Sequence, residues 1–168
     1  MVKQLVLLVL VAVVASCSQK VYVVRHAEKA TQEKNMSSDV PLSESGAKRA
    51  HDLLEVLKDK KIREIYSTQT IRTISTAQHI KDHFNLSMQI YGPRPDAAFI
   101  EKVKASKKNC LIVGHSNTVD DIVNGLAGKV ILPMDLPDTA YDNLYLLKIR
   151  KDKVRFKGLK FGAPSALK

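Results

Sequence analysis

The stretch VYVVRHAEK, from Val21 to Lys29, runs from an apolar segment straight into Arg25, His26 and Glu28. Val21 to Val24 are apolar at both alternate sets of positions, which is typical of a central strand that is buried on both faces of a sheet. Ligands of open α/β sheets bind at the carboxyl ends of the strands. The position of these ionisable side chains therefore indicates a functional site.

A second strongly apolar run, NCLIV at Asn109 to Val113, ends in the same way, with Gly114 and His115. A single histidine at a strand end is most often a satisfied surface or core residue, but two at one edge of a sheet indicate a pocket. A third strand end, Tyr66-Ser67-Thr68, is followed by Arg72 in the first turn of the next helix. The helix dipole disfavours a cation there, which suggests that Arg72 has another use.

The rest of the chain alternates short apolar runs with amphipathic stretches, a pattern that predicts βαβ units. We expect an α/β fold, a three-layer sandwich with a central, mostly parallel sheet and helices on both faces. The predicted strands are residues 21–24, 62–66, 86–91 and 109–113. The predicted helices begin after the caps Ser43 and Asp96, at Ile71 and at Val119, and a β-hairpin of residues 143–150 and 153–160 is predicted at the sheet edge.

The composition is that of one globular domain, with 168 residues, of which 45% are hydrophobic and 26% charged. These values exclude a disordered or fibrous chain. The formal net charge of +10 raises the question of nucleic-acid binding, but the basic residues are dispersed and are not interleaved with aromatic ones. We predict no nucleic-acid partner; the charge fits a solvated basic surface, an anionic substrate or an anionic membrane.

The first residues, MVKQ followed by LVLLVLVAVV and Ala15-Ser16-Cys17, have the layout of a secretory signal. Residues 1–16 are predicted to be a signal peptide and residues 17–168 the functional domain, because the apolar run is too short for a membrane-spanning helix. Cys17 resembles the cysteine of a bacterial lipobox, which predicts an exported protein anchored by lipid in the cell envelope; an incidental cysteine beside a cleavage site is the alternative. Cys110 is predicted to be a buried apolar residue without a disulfide.

Three motifs in this order resemble those of the histidine phosphatase superfamily, also called the phosphoglycerate mutase-like fold. They are RHAEK at residues 25–29, RTISTA at residues 72–77 and VGHSNT at residues 113–118. The resemblance extends through YST before Arg72, PLSESG at residues 41–46 and YDNLY at residues 141–145, and so covers nearly all of the predicted domain.

The resemblance implies that His26 is a nucleophile that forms a phosphohistidine. Arg25, Arg72 and His115 would clamp the transferring phosphoryl group, a role that suits guanidiniums and an imidazole. One ring nitrogen of His26 should then donate to a partner such as a backbone carbonyl. Ser116 and Asn117 could offer amides to the phosphate at a helix N-terminus, and Lys29 could guide anions at the rim. No metal or cofactor is expected.

The general acid is left open between two carboxylates. Asp96 is the better placed, although a helix cap is at least as good an explanation for it. Glu28 could be the acid or could orient an arginine of the pocket. An enzyme without a dedicated acid would favour good leaving groups such as phosphohistidine.

The predicted function is that of a phosphatase acting on a phosphomonoester or phosphoramidate, of the small phosphohistidine-phosphatase type. The chain has no room for the insertions that the resemblance associates with mutases, which favours a phosphatase over a phosphomutase. A phosphomutase stays an alternative, as does a non-catalytic protein that binds phosphate on the same fold. A basic module for polyanions or membranes is a third possibility. The expected partners are an anionic phosphorylated substrate and, through Cys17, a membrane; a monomer is expected.

Overall fold

The computed structural model describes residues 18–31, 39–151 and 153–165. The predicted signal peptide and Cys17 lie outside the described residues. The elements, in chain order, are β1 (Gln19–Arg25), α1 (Glu44–Leu57), β2 (Glu64–Ser67), α2 (Ile71–Phe84), β3 (Met88–Ile90), α3 (Ala97–Ser106), β4 (Cys110–Gly114), α4 (Val119–Ala127), β5 (Asn143–Arg150) and β6 (Lys153–Lys160). Among the described helices, none combines the length and apolar character needed to cross a membrane.

The strands form one sheet in the order β3-β2-β4-β1-β5-β6. The four strands from β3 to β1 are parallel, whereas β5 runs antiparallel to β1 and β6 returns along the edge. The mostly parallel sheet and the edge hairpin are therefore confirmed. As predicted, β1 lies inside the sheet, between β4 and β5.

Alternation along β1 sends its side chains into two separate apolar layers, so helices cover both faces. Val21 and Val23 join the layer that α3 and α4 complete, and Tyr22 and Val24 join the layer under α1 and α2. The predicted three-layer sandwich is confirmed. Cys110 is fully buried in the first layer and carries a free thiol, as expected for a small apolar residue.

Two strands are shorter than their apolar runs predict. Leu86 does not enter β3, because its N–H donates to Lys81 O (3.0 Å) in a helix ending around Asn85, whose φ is 50°. At β2, Ile62 is buried before the strand begins at Glu64, and Lys61 takes a positive φ of 54°. Leu86 and Ile62 are thus apolar because they pack beside the ends of neighbouring elements, not because they pair within a strand.

The loop after β1 is fixed directly on the start of α1. Ser43 caps the helix by accepting a hydrogen bond from Gly46 N (3.1 Å), and Ser43 N donates to Glu28 O (3.0 Å). A Cβ atom at Gly46 would overlap Glu28 O, so only glycine allows this close approach. The backbone two residues after His26 is therefore held by packing as well as by hydrogen bonds.

We expect Gly46→Ala to lower the free energy of unfolding by about 2 kcal/mol or more, because a backbone carbonyl cannot yield to the added methyl group. Helix propensity alone predicts the opposite sign, a gain of about 1 kcal/mol. Chemical denaturation of the wild type and of Gly46→Ala measures the sign of the change and so decides between the two expectations.

Gly158→Ala is the matched control, since a Cβ atom at this position in β6 has no heavy atom within 4 Å. This variant should be neutral or slightly more stable than the wild type. Equal stability losses in the two variants would contradict the close contact at Gly46.

Candidate active site

Parallel pairing of β1 with β4 brings the two predicted histidines together. Arg25 lies opposite Gly114, and His26 N donates to Gly114 O (2.9 Å). The two strands therefore end at the same level, and the rings of His26 and His115 lie 5.4 Å apart between centroids, edge to face. The coincidence of two apolar strands ending in histidine thus corresponds to one shared site.

The ring of His26 is held in one tautomer. Its Nδ1 lies 2.7 Å from Ala27 O, and because a carbonyl can only accept, Nδ1 carries the proton and Nε2 keeps its lone pair. The pKa of His26 is lowered to about 3, chiefly by burial and also by the charges of Arg25, His115 and Arg72, against the opposing effect of the Ala27 bond. The imidazole is therefore neutral at physiological pH, with Nε2 available to a ligand.

Helix α2 fixes the backbone beside this ring through Thr76. The hydroxyl of Thr76 accepts from Ala27 N (2.9 Å) and donates to Arg72 O (2.7 Å). It thereby joins the loop of His26 to the turn that carries Arg72. Thr76 was not predicted as a site residue, although it lies within the motif RTISTA.

His115 is held by Thr68, which closes the third predicted strand end but was not predicted to contact this ring. Thr68 Oγ1 lies 2.8 Å from its Nε2, and Arg72 Nη2 lies 3.4 Å from its Nδ1. Because arginine only donates, Nδ1 accepts and Nε2–H donates to Thr68. Burial and then the charges of Arg72 and Arg25 lower the pKa of His115 to about 4, so this ring is also neutral.

Arg25 is buried and held by the segment before β5. Its Nη1 donates to Pro137 O (2.9 Å), its Nη2 donates to the Tyr141 hydroxyl (3.3 Å), and its guanidinium stacks 4.1 Å from the centre of the Tyr141 ring. Asp138, 94% exposed, adds a contact at 3.4 Å. Burial lowers the pKa of Arg25, yet a guanidinium remains charged in proteins.

One donor of Arg25 is left without a partner. Its Nε is buried and makes no hydrogen bond to any described group. A buried N–H without a partner is costly, and such groups are rare in native structures. The chain thus holds a positive charge here at a cost in stability.

Arg72 reaches the same site, as predicted from its place in the first turn of α2. Its Nη1 lies 3.4 Å from Asp39 Oδ1, and the same oxygen accepts from Ile71 N (2.9 Å). The Asp39 carboxylate thus pairs with a free N–H group at the start of α2. It also adds a negative charge at the helix end where the positive charge of Arg72 is unfavourable. Asp39, from a loop distant in sequence, therefore offsets the unfavourable interaction between Arg72 and the helix dipole.

These groups surround an open cavity with a volume of about 680 Å³. The predicted residues Arg25, His26, Arg72, His115, Ser116 and Asn117 all line it, as does Lys29. Its remaining walls are Thr70, Pro93, Asp135, Leu136 and Asp138. The cavity therefore combines three cationic side chains with two neutral imidazoles, a setting suited to a multiply charged anion.

The two carboxylates considered as a general acid lie elsewhere. Asp96 Oδ1 accepts from Phe99 N (2.7 Å) as the cap of α3, and Asp96 borders a different cavity together with Glu101 and Asp121. Its helix-cap explanation is the one that the structure supports. In this structure Asp96 is engaged as a helix cap and is not among the residues that line the cavity of His26.

Glu28 forms a structural ion pair instead of lining the cavity. Both of its oxygens accept from Arg49 of α1, at 2.7 to 2.9 Å, and Arg49 Nη1 donates in turn to Phe161 O and Ala163 O. Arg49 is not a cavity residue, so Glu28 orients no arginine of the pocket either. The expected role of Glu28 is corrected: it ties the loop after β1 to α1 and to the end of the sheet.

Comparison with known proteins agrees with this geometry. Residues 21–92 match the histidine phosphatase superfamily (branch 1). This match includes Arg25, His26 and Arg72, whereas His115 lies beyond it and is brought to them by the fold. The match supports a hydrolase that acts on phosphoric monoesters. No curated protein sequence matches the chain.

Solved structures of similar fold include the SixA protein from Agrobacterium tumefaciens, with 21% identity over 87% of this chain and 98% of that one, at a TM-score of 0.64. The protein histidine phosphatase SixA complexed with tungstate is 18% identical over 84% of this chain and 97% of that one, at a TM-score of 0.67. A mycobacterial glucosyl-3-phosphoglycerate phosphatase is 13% identical over 88% of this chain and 100% of that one, at a TM-score of 0.62. At these identities the likeness shows the fold alone.

The buried neutral state of His26 predicts a specific acid sensitivity. Its pKa is about 3 in the folded chain against 6.5 when unfolded, so the unfolded chain binds more protons between these values and stability is lost as the pH falls below 6.5. At pH 5 this loss is about 2 kcal/mol for His26. His26→Asn, whose amide can still donate to Ala27 O, should remove that part of the pH dependence.

Urea denaturation at pH 7.5 and at pH 5 measures the effect. His51→Asn, the same change on the exposed surface of α1, controls for the loss of an imidazole as such. An unchanged difference in unfolding free energy between the two pH values in His26→Asn would show that His26 is not held neutral.

Proposed function

We propose that this protein is a phosphatase that transfers the phosphoryl group of its substrate to His26 Nε2 and then to water. The observation that carries the proposal is the contact between His26 Nδ1 and Ala27 O, because it leaves an unprotonated Nε2 among two guanidiniums and a second imidazole. A neutral imidazole held in one tautomer is an effective nucleophile.

In the first step the Nε2 lone pair forms a bond to phosphorus while the bond from phosphorus to the leaving atom breaks, and its electron pair stays with that atom. In the second step water attacks phosphorus, the P–Nε2 bond breaks, and inorganic phosphate leaves with His26 neutral again. The proton of the attacking water passes to solvent or phosphate, and no redox change occurs.

The charges around the cavity fit a transferring phosphoryl group, whose negative charge spreads over three oxygens. Arg25 and Arg72 both line the cavity and supply fixed positive charge to it. An oxyanion would also favour protonation of His115 at Nδ1, turning this atom from an acceptor into a donor. The tungstate bound by one of the SixA proteins is an oxyanion of comparable charge.

The substrate that we propose carries a leaving group that needs little acid assistance, such as the imidazole of a phosphohistidine. With Asp96 and Glu28 committed elsewhere, the carboxylates that line the cavity are Asp135 and Asp138, of which Asp138 is ion-paired with Arg25. Both are exposed to solvent, unlike the enclosed carboxyl groups that serve as dedicated general acids. Phosphoramidates therefore suit this site better than alkyl phosphates, whose oxygen must be protonated as it leaves.

We also propose that the protein is exported and held at the bacterial cell envelope by lipid on Cys17. The proposal rests on the sequence of residues 1–17, with a positively charged start, an apolar run and Val-Ala-Ser before the cysteine. Its substrate would then be a phosphorylated component of the envelope.

The enzymatic proposal is tested by incubation with a labelled phosphoramidate, quenching and analysis of the protein. We expect a labelled adduct that is stable in base and labile in acid, as a phosphohistidine is. His26→Asn should abolish the label and lower kcat at least about 1,000-fold. If the wild type neither labels nor hydrolyses any phosphoramidate or phosphoester, the protein is an anion-binding protein without turnover.

Asp96→Asn is the control for the missing acid, because asparagine caps a helix as well as aspartate does but cannot donate an acidic proton. We expect this variant to retain the wild-type kcat on alkyl phosphates as well as on phosphoramidates. A large loss confined to alkyl phosphates would restore Asp96 as the general acid.

The anchor is tested separately by metabolic labelling with a fatty acid in a bacterial host. Wild type should incorporate the label, and Cys17→Ser should not, because its hydroxyl replaces the thiol that is acylated. Retention of the label by Cys17→Ser would refute the proposed anchor and leave the enzymatic proposal unaffected.

A further inference from the structure

The end of the sheet opposite the cavity carries a basic surface that the proposed chemistry does not use. We call it the basic face; its members are Lys20, Lys148, Arg150, Lys153, Arg155 and Lys157. All are exposed except Lys20, which is half-buried. None of them forms an ion pair with any residue in the described part of the chain.

Strand register places these side chains directly beside one another. Lys20 of β1 lies opposite Lys148 of β5, which lies opposite Arg155 of β6, so three cations form one row across three strands. In the next row Arg150 lies opposite Lys153. Directly opposed side chains share a face of the sheet, and like charges in such pairs are destabilising. An edge hairpin meant only to be soluble would place opposite charges here.

The basic face lies on the same side of the sheet as α1 but beyond the area that the helix covers. Leu144 and Leu146, which precede Lys148 at alternate positions of β5, pack in the apolar layer with Leu53 and Leu57 of α1. Beyond Leu146 the alternation continues with cations. The sheet surface thus changes from an apolar layer to a cationic one, without an intervening acidic side chain among the residues described in these strands.

The same end of the molecule receives the chain from its N-terminal segment. β1 begins at Gln19, directly before Lys20, and Asn109 joins this end to the loop after α1 by accepting from Lys20 N (2.9 Å) and donating to Lys60 O (3.1 Å). Arg25 and the cavity lie at the other end of β1, roughly 17 Å from Lys20 at the rise of a strand. A surface bound to the basic face would leave the cavity open to solvent.

We infer that the basic face binds the phosphate head groups of an anionic lipid bilayer and turns the cavity away from it. Adjacent rows of lysines and arginines suit an extended anionic surface, whereas single-stranded nucleic acid requires aromatic side chains for its bases, and none lies on the basic face. In sequence, Lys20 follows Cys17 by only three residues, so a lipid on that cysteine, as proposed above, would favour contact between this end of the sheet and a bilayer. The inference does not depend on the proposed enzymatic activity.

The test measures binding of the full chain, carrying Cys17→Ser so that no acyl group contributes, to two kinds of vesicle. One contains phosphatidylcholine alone and the other also contains phosphatidylglycerol. The apolar residues 5–14 act on both kinds, so the ratio of the two affinities reports the electrostatic part. We expect a preference for phosphatidylglycerol that falls about 30-fold in Lys148→Gln/Arg155→Gln, since each cation at an anionic surface contributes about 1 kcal/mol.

Lys102→Gln/Lys129→Gln is the matched control, because it removes the same charge from exposed positions outside the basic face. This variant should keep the preference. Equal losses in both double variants would show that only net charge acts and would overturn the inference, as would the absence of any preference. Both variants should keep the wild-type affinity of the cavity for tungstate, and Lys148→Gln/Arg155→Gln should melt no lower than wild type because a like-charged pair is relieved.

Two further ligands separate the possible sources of phosphate chemistry. Inorganic phosphate, at matched ionic strength, should release the protein from vesicles no better than chloride does; stronger release would indicate a site for the free anion instead. A DNA duplex should bind more weakly than phosphatidylglycerol vesicles. If the duplex binds more tightly than the vesicles, and Lys148→Gln/Arg155→Gln abolishes this binding, the basic face is a nucleic-acid site and the inference of lipid binding is wrong.

Discussion

The pairing of β1 with β4 is the constraint on which the candidate site depends. Val24 lies opposite Val113 and Arg25 opposite Gly114, and this register continues for one more hydrogen bond, from His26 N to Gly114 O. A shift by one residue would turn every side chain of β1 to the other face and move His26 away from His115. The register is fixed because the apolar layers on both faces require the alternate residues of β1 to stay where they are.

Around this pair, the structure keeps two imidazoles neutral beside two guanidiniums. Burial lowers both histidine pKa values, and the arginines lower them further, so the positive charge of the site resides on groups that do not lose it. The arginines in turn are held by parts of the chain that are far from them in sequence. Tyr141 stacks on Arg25, and Asp39 contacts Arg72. Preorganised donors of this kind need little rearrangement when an anion binds.

The sequence predicted the elements and the cavity side chains well because both follow from local patterns. Two apolar runs ending in histidine, and an arginine in the first turn of a helix, are visible within a few residues. The positions of Glu28 and Asp96 show the limit of such reasoning. Asp96 caps α3, which was one of the two roles considered for it. Glu28 pairs with Arg49, which lies on another element 21 residues away. Which of several cations pairs with a carboxylate is decided by tertiary packing.

The same limit applies to Thr68, Thr76 and Tyr141, which support the site through contacts that no spacing in the sequence reveals. The like-charged rows of the basic face also became visible only with the strand register. In the sequence those lysines and arginines appear dispersed, because β1 and β5 are separated by more than 100 residues and only pairing brings Lys20 beside Lys148.

Because β1 lies inside the sheet, the candidate site can form only after most of the chain has been synthesised. This strand is synthesised early, yet its neighbours β4 and β5 follow much later, with Val21 opposite Cys110 and Gln19 opposite Ile149. The loop after His26 is tied through Arg49 to the carbonyls of Phe161 and Ala163. A nascent chain still emerging from the ribosome therefore has no assembled site, and contacts of such long sequence separation make folding comparatively slow.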